Sequence, residues 1–94
     1  MQGGKMALIE KFEDIKAWQE ARQLTKDFYK ISAEGAFGRD FGLRDQIRRA
    51  SVSSMANIAE GFDYESKKEF ARFLEIARRS TVEVQSLFIV VRRI

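Results

Sequence analysis

Glu60, Asp63, Glu65 and Glu69 place four carboxylates within ten residues, directly after the serines Ser51, Ser53 and Ser54 and the amide of Asn57. Carboxylates at that density are the raw material of a metal or general-acid site, and a serine hydroxyl is a candidate nucleophile. Both chemistries need partners that this chain lacks. It has no histidine and no cysteine, which removes the usual neutral-pH base, the commonest metal ligand and every thiolate. Di-metal sites in helical bundles are built from Glu-x-x-His repeats, and a serine here has only lysine or a carboxylate to take its proton. The residues therefore point away from an enzyme. No catalytic residue, no metal ligand and no cofactor is expected. Asn57, Glu60 and Gly61 are read as structural, with Asn57 and Glu60 satisfying backbone groups where a helix ends and Gly61 capping it in the left-handed conformation.

The other available chemistry is ionic. The net charge of +3 is unevenly placed: residues 1–40 carry seven basic and seven acidic side chains, and residues 41–94 carry ten and seven. The candidate contacts are Arg44, Arg48, Arg49, Lys67, Lys68, Arg72, Arg78 and Arg79, with Arg92 and Arg93 at the end. Arg44 and Arg48 stand one helical turn apart, as do Lys68 and Arg72, a spacing that suits adjacent phosphates of RNA or DNA. The competing reading pairs Arg48, Arg49, Arg78 and Arg79 with Asp45, Glu75, Glu83 or a neighbouring subunit, because arginine also serves protein interfaces. No aromatic platform interleaves with these cations, so the ionic-pairing reading is preferred over single-strand binding.

What must position these residues is helical. Apolar residues make up 45% of the 94-residue chain, charged residues 33%, and there is no proline to interrupt a helix. One domain is expected over residues 12–94, after a flexible leader over residues 1–11. Ile15, Trp18, Ala21, Leu24, Phe28 and Ile31 recur at steps of three and four and predict a first helix over about 13–32. The glycine-rich stretch Ala33 to Gly42 reads as a loop, with Phe37 and Phe41 folding back to cap the core. A second helix is predicted over about 41–59, its seam running Leu43, Ile47, Ala50, Ser54, Ile58 and Gly61. Ser66 and Glu69 form a capping-box pattern that opens a third helix over about 66–93. Phe70, Phe73, Ala77, Thr81, Val84, Phe88 and Val91 mark its seam. At roughly 43 Å, against some 28 Å for the second helix, its tail "LFIVV" is expected to overhang its neighbours and to need a partner. That run is far too short to span a bilayer, so no membrane association and a cytoplasmic location are expected.

Four stretches in this order, "FEDIKAW", "FGLRDQIRRASVS", "NIAEGF" and "SKKEFARFLEIARRS", resemble the four-helix-bundle proteins of the 23S rRNA intervening-sequence family, sometimes called S23. The resemblance implies an all-α, up-down antiparallel bundle of bacterial origin that assembles into homopentamers. It also implies a relation to the accessory variability determinant of diversity-generating retroelements, a basic platform for nucleic acid and reverse transcriptase. Members continue into a fourth helix where this sequence ends at Ile94. Three helices are therefore expected here, with the fourth absent or supplied by another subunit, and intermolecular completion is the preferred reading. Two functions remain open: a non-enzymatic homo-oligomer serving as a nucleic-acid platform, and a self-associating structural protein with an unknown protein partner.

Overall fold

The computed structural model describes residues 9–93, so the flexible leader expected over residues 1–8 and the chain end at Ile94 lie outside the described residues. A single 3-10 turn, Phe12–Asp14, precedes four α-helices: α1 (Lys16–Ile31), α2 (Gly35–Arg39), α3 (Phe41–Phe62) and α4 (Lys67–Val91). No strand occurs among them.

The first helix starts later than its periodicity suggests. Ile15 is extended, at φ −77° and ψ 122°, and separates the 3-10 turn from α1. The break lets Phe12 turn back onto Trp18, with ring centroids 5.2 Å apart in an edge-to-face arrangement. The Gln19 amide closes the junction by donating to the Glu13 carbonyl at 3.0 Å. The glycine-rich connection is also not a plain loop, because it holds α2. Gly35 enters that helix at φ +70°, a conformation that strains any other L-residue. Phe37 on α2 is buried, but Phe41 is 64% exposed and does not cap the core. Asp40 caps α3 by accepting the Leu43 amide at 3.1 Å, and Phe41, as the first residue of α3, lies outside the core under the Arg44 guanidinium.

The tightest contact in the molecule joins α3 to α4. Gly61 faces Phe73, Ile58 packs with Ala77, the Ser54 and Thr81 hydroxyls meet at 2.8 Å, and the Gln46 amide donates to Glu83 at 3.3 Å. Residue numbers thus fall along α3 as they rise along α4. Gly61 is not a left-handed cap, since no positive φ is found there, and α3 runs through it to Phe62. It is glycine because of what crosses it. A Cβ on Gly61 would stand 2.5 Å from the Phe73 Cβ.

Two apolar clusters form the core. One gathers Phe28, Phe37, Ile47, Ala50 and Val84, with Leu87, Phe88 and Val91 packed against it. The other gathers Ala21, Ile58 and Ala77, with Ile15, Trp18 and Met55 against it. Between them lies a layer of hydroxyls. Thr25 donates to the Ser51 carbonyl at 3.0 Å, joining α1 to α3. Thr81 donates to the Ala77 carbonyl, which leaves Ser54 as the donor in its bond to Thr81. The small serines let three helices approach closely, and their hydroxyls find partners when they do: among the described residues no buried side-chain polar atom is left unpaired.

The expected overhang of the last helix is absent. At 25 and 22 residues, α4 and α3 span about 37 and 33 Å. The tail is also divided: Leu87, Phe88 and Val91 join the first cluster, while Ile89 and Val90 are about half exposed. Phe28 reaches α4 from α1, its ring 5.3 Å from that of Phe88.

Candidate interaction surface

The arginines of α3 and α4 are largely engaged within the chain. Arg78 grips Glu75 with two nitrogens, at 3.0 and 2.7 Å, and Arg79 adds a third contact at 3.3 Å. Arg72 donates to Glu69 at 3.1 Å and lies over the Phe73 ring. Arg44 donates to Asp45 at 2.9 Å. Arg48 makes no ion pair among the described residues. Its Nε instead donates to the buried Ser32 hydroxyl at 2.7 Å, and its guanidinium lies 4.6 Å from the centre of the Tyr29 ring. It therefore clasps the C-terminus of α1 onto α3. Arg49 is exposed beside Ser53, Ser80 and Glu83, and Lys67 and Lys68 are exposed at the start of α4.

The structural candidates behave differently from the expectation. The Ser66 hydroxyl accepts the Glu69 amide at 3.3 Å, but the Glu69 carboxylate turns forward to Arg72 instead of back to Ser66. The capping box is half made. The Asn57 amide donates to the carbonyl and hydroxyl of Ser53, one turn earlier in α3, at 2.8 and 3.0 Å, and does not serve the helix end. Glu60 is exposed, and its backbone carbonyl, not its side chain, accepts the Asp63 amide. Among the described residues no group of three carboxylates converges to hold a metal ion.

The Arg78 hydrogen bond, with the charges of Arg78 and Arg79, lowers the Glu75 carboxyl to about 2. A depressed carboxylate stabilises the folded chain fully above its ordinary value of 4.5 and loses that contribution as pH falls through about 2. Glu75→Gln should therefore lower the melting temperature by a constant amount above pH 4.5. The gap to the parent should close progressively between 4.5 and 2, as followed by circular dichroism melts. A gap that does not change with pH would refute the ionic origin.

Sequence periodicity missed a groove of about 390 Å³ between α1 and α4, floored by Ser54 and Ile58 of α3. Ala17 and Leu24 line one wall, Leu74 and Thr81 the other, and Glu20 and Arg78 stand on opposite rims. Ala17, Leu24 and Ile31 are spaced by seven, so they form one stripe along α1. The spacing carried the signal, but it was absorbed into a single core face. Ile31 is 48% exposed and Leu74 37%. None of the described helices is long and apolar enough to cross a membrane.

A close helical pair, a third long helix clasped across it and an open apolar groove define an all-helical domain. Within that class, the profile of the 23S rRNA-intervening sequence protein family matches residues 13–94, and the chain belongs to this family. No curated protein and no solved structure matches it.

Proposed function

We propose that this chain is a non-enzymatic cytoplasmic protein that associates with further copies of itself. In this reading α1, α3 and α4 are three members of an up-down bundle whose fourth side is completed between molecules. The supporting observation is the groove: an apolar trough between two long helices, in a chain too small to bury all its apolar surface alone. The engaged arginines support the same reading, because Arg44, Arg72, Arg78 and Arg79 already hold carboxylates and Arg48 holds α1.

The exposed neighbours Lys67 and Lys68 favour a second reading, the nucleic-acid platform that the family resemblance attaches to retroelement accessory proteins. Solution mass and RNA titration separate the two. Self-association predicts a mass above the 10.9 kDa monomer and no RNA binding at low salt. A platform predicts binding that weakens steeply with salt, and Lys67→Glu with Lys68→Glu should lower the slope by about two ion equivalents. A stable monomer that ignores RNA would overturn both.

A further inference from the structure

The α3 and α4 pair has a second face, turned away from the groove. Two neighbouring hydroxyl bonds tie the helices together: Ser54 to Thr81 under the groove, and Ser53 to Ser80, at 2.9 Å, on the other side. The second pair lies in a notch of about 360 Å³ that the buried Ala50 floors and Gln46, Arg49 and Glu83 border.

The hydroxyl pair in the notch has a donor to spare. Two hydroxyls carry two protons, and the bond between them uses one. Elsewhere in the hydroxyl layer Ser51 and Thr81 donate to the Arg48 and Ala77 carbonyls, one turn back, whereas Ser53 and Ser80 make no such bond. The Asn57 amide donates to the Ser53 hydroxyl at 3.0 Å, which fills an acceptor position and uses no hydroxyl proton. Whichever serine donates to the other, one O–H is left without an acceptor among the described residues. Opposite charges flank it. Arg49, exposed on α3, makes no ion pair among the described residues. Glu83, exposed on α4, accepts the neutral Gln46 amide at 3.3 Å, which steadies its carboxylate without neutralising it. The two charges border one notch but do not meet across it.

We infer that this notch binds the zwitterionic head of a free α-amino acid, with its carboxylate on Arg49 and the spare serine O–H and its ammonium on Glu83. Arg49 and the hydroxyl only donate at this point, so their side of the notch takes an anion through charge-assisted bonds. Glu83 only accepts, so its side takes the ammonium. A lone anion on Arg49 is opposed by Glu83, and a lone cation on Glu83 is opposed by Arg49. A ligand that carries both charges on adjacent groups satisfies both walls. The same opposition disfavours a nucleic-acid phosphate, which brings no cation for Glu83. Ala50, Ser53 and Ser80 are small enough to admit the head, and the open side of the notch leaves the amino acid's side chain toward solvent.

The test is titration of the isotope-labelled protein with L-serine, followed by amide chemical shifts. Saturable shifts are expected at Ser53 and Ser80, with millimolar affinity, because a small ligand on an open notch makes few contacts. Acetate and ethylammonium, which carry one charge each, should bind about tenfold more weakly than L-serine. L-serine should also bind about tenfold more weakly to Arg49→Gln and to Glu83→Gln, since each removes a charge-assisted bond. Both side chains are exposed, so circular dichroism should show parent-like helix in both variants, and the comparison with acetate and ethylammonium needs no variant. No saturable shift with L-serine, acetate that binds as tightly as L-serine, or charge variants that bind it unchanged would each overturn the inference. These readouts do not depend on subunit number, so the self-association reading stands or falls separately.

Discussion

Replacing Gly61 by alanine is expected to destabilise the protein by about 2–3 kcal/mol, a large share of what a small domain has. Alanine is the better helix former by nearly 1 kcal/mol, so propensity alone predicts the opposite sign. The geometry decides. The added Cβ would stand 2.5 Å from the Phe73 Cβ and 3.1 Å from the Phe70 ring. The Phe73 Cβ is fixed to the α4 backbone, so no rotamer change relieves the contact and the two helices must separate. Separation at this end loosens Ile58 and Ala77 and lengthens the Ser54–Thr81 bond. Urea denaturation should show the loss. The companion change Phe73→Ala opens a cavity alone, but in the Gly61→Ala background it should cost less than in the parent, because it removes the Phe73 Cγ that would stand 3.2 Å from the new methyl, although the Cβ contact remains. Equal stability of Gly61→Ala and the parent would show that the helices do not cross so closely.

The same glycine marks where the sequence was legible and where it was not. Most of the seam of α3 could be read: Ile47, Ala50, Ser54, Ile58 and Gly61 are buried, because a 3.6-residue period fixes which side chains share a face, whereas Leu43 is only half-buried and the fully buried Ser51 was not placed on it. On α4 the same logic found Phe73, Ala77 and Val84. The role of Gly61 was not legible, since a glycine near a helix end is compatible both with a cap and with a close crossing, and only the neighbour's position separates them. Ile31 shows a second limit. Its period places it with Ala21 and Phe28, yet it falls on the edge of that face that no element among the described residues covers. Likewise, the arginines were visible as charges, but which carboxylate each would hold depended on rotamers. Arg78 and Arg79 took the partner one turn back, while Arg48 took a hydroxyl and an aromatic ring from another helix. The groove was the least visible feature because it belongs to two helices separated in sequence by all of α3.

Phe28→Ala should produce the largest loss, about 3–5 kcal/mol. Phe28 is 5% exposed and sits among Phe37, Ile47, Ala50 and Val84, so truncation leaves a cavity bordered by side chains from three other helices. It also removes the edge-to-face contact with Phe88, a direct tie between α1 and α4. The remaining attachments of α1 are the Thr25 bond to Ser51, the Arg48 clasp on Ser32 and the Ala21 contacts with Ile58 and Ala77. Those hold α1 to α3 more than to α4, so the groove should lose one wall before the α3 and α4 pair melts. The variant should therefore show two effects with different thresholds. Self-association should fail first, under conditions where circular dichroism still reports most of the helix, and hydrogen exchange should show α1 opening while α3 and α4 remain protected. Phe28→Leu keeps apolar volume at the site but loses the aromatic pair, and should fall between. If Phe28→Ala unfolds in one step with assembly and helix lost together, α1 is not a separable wall of the groove, and the core is a single cooperative unit across its hydroxyl layer.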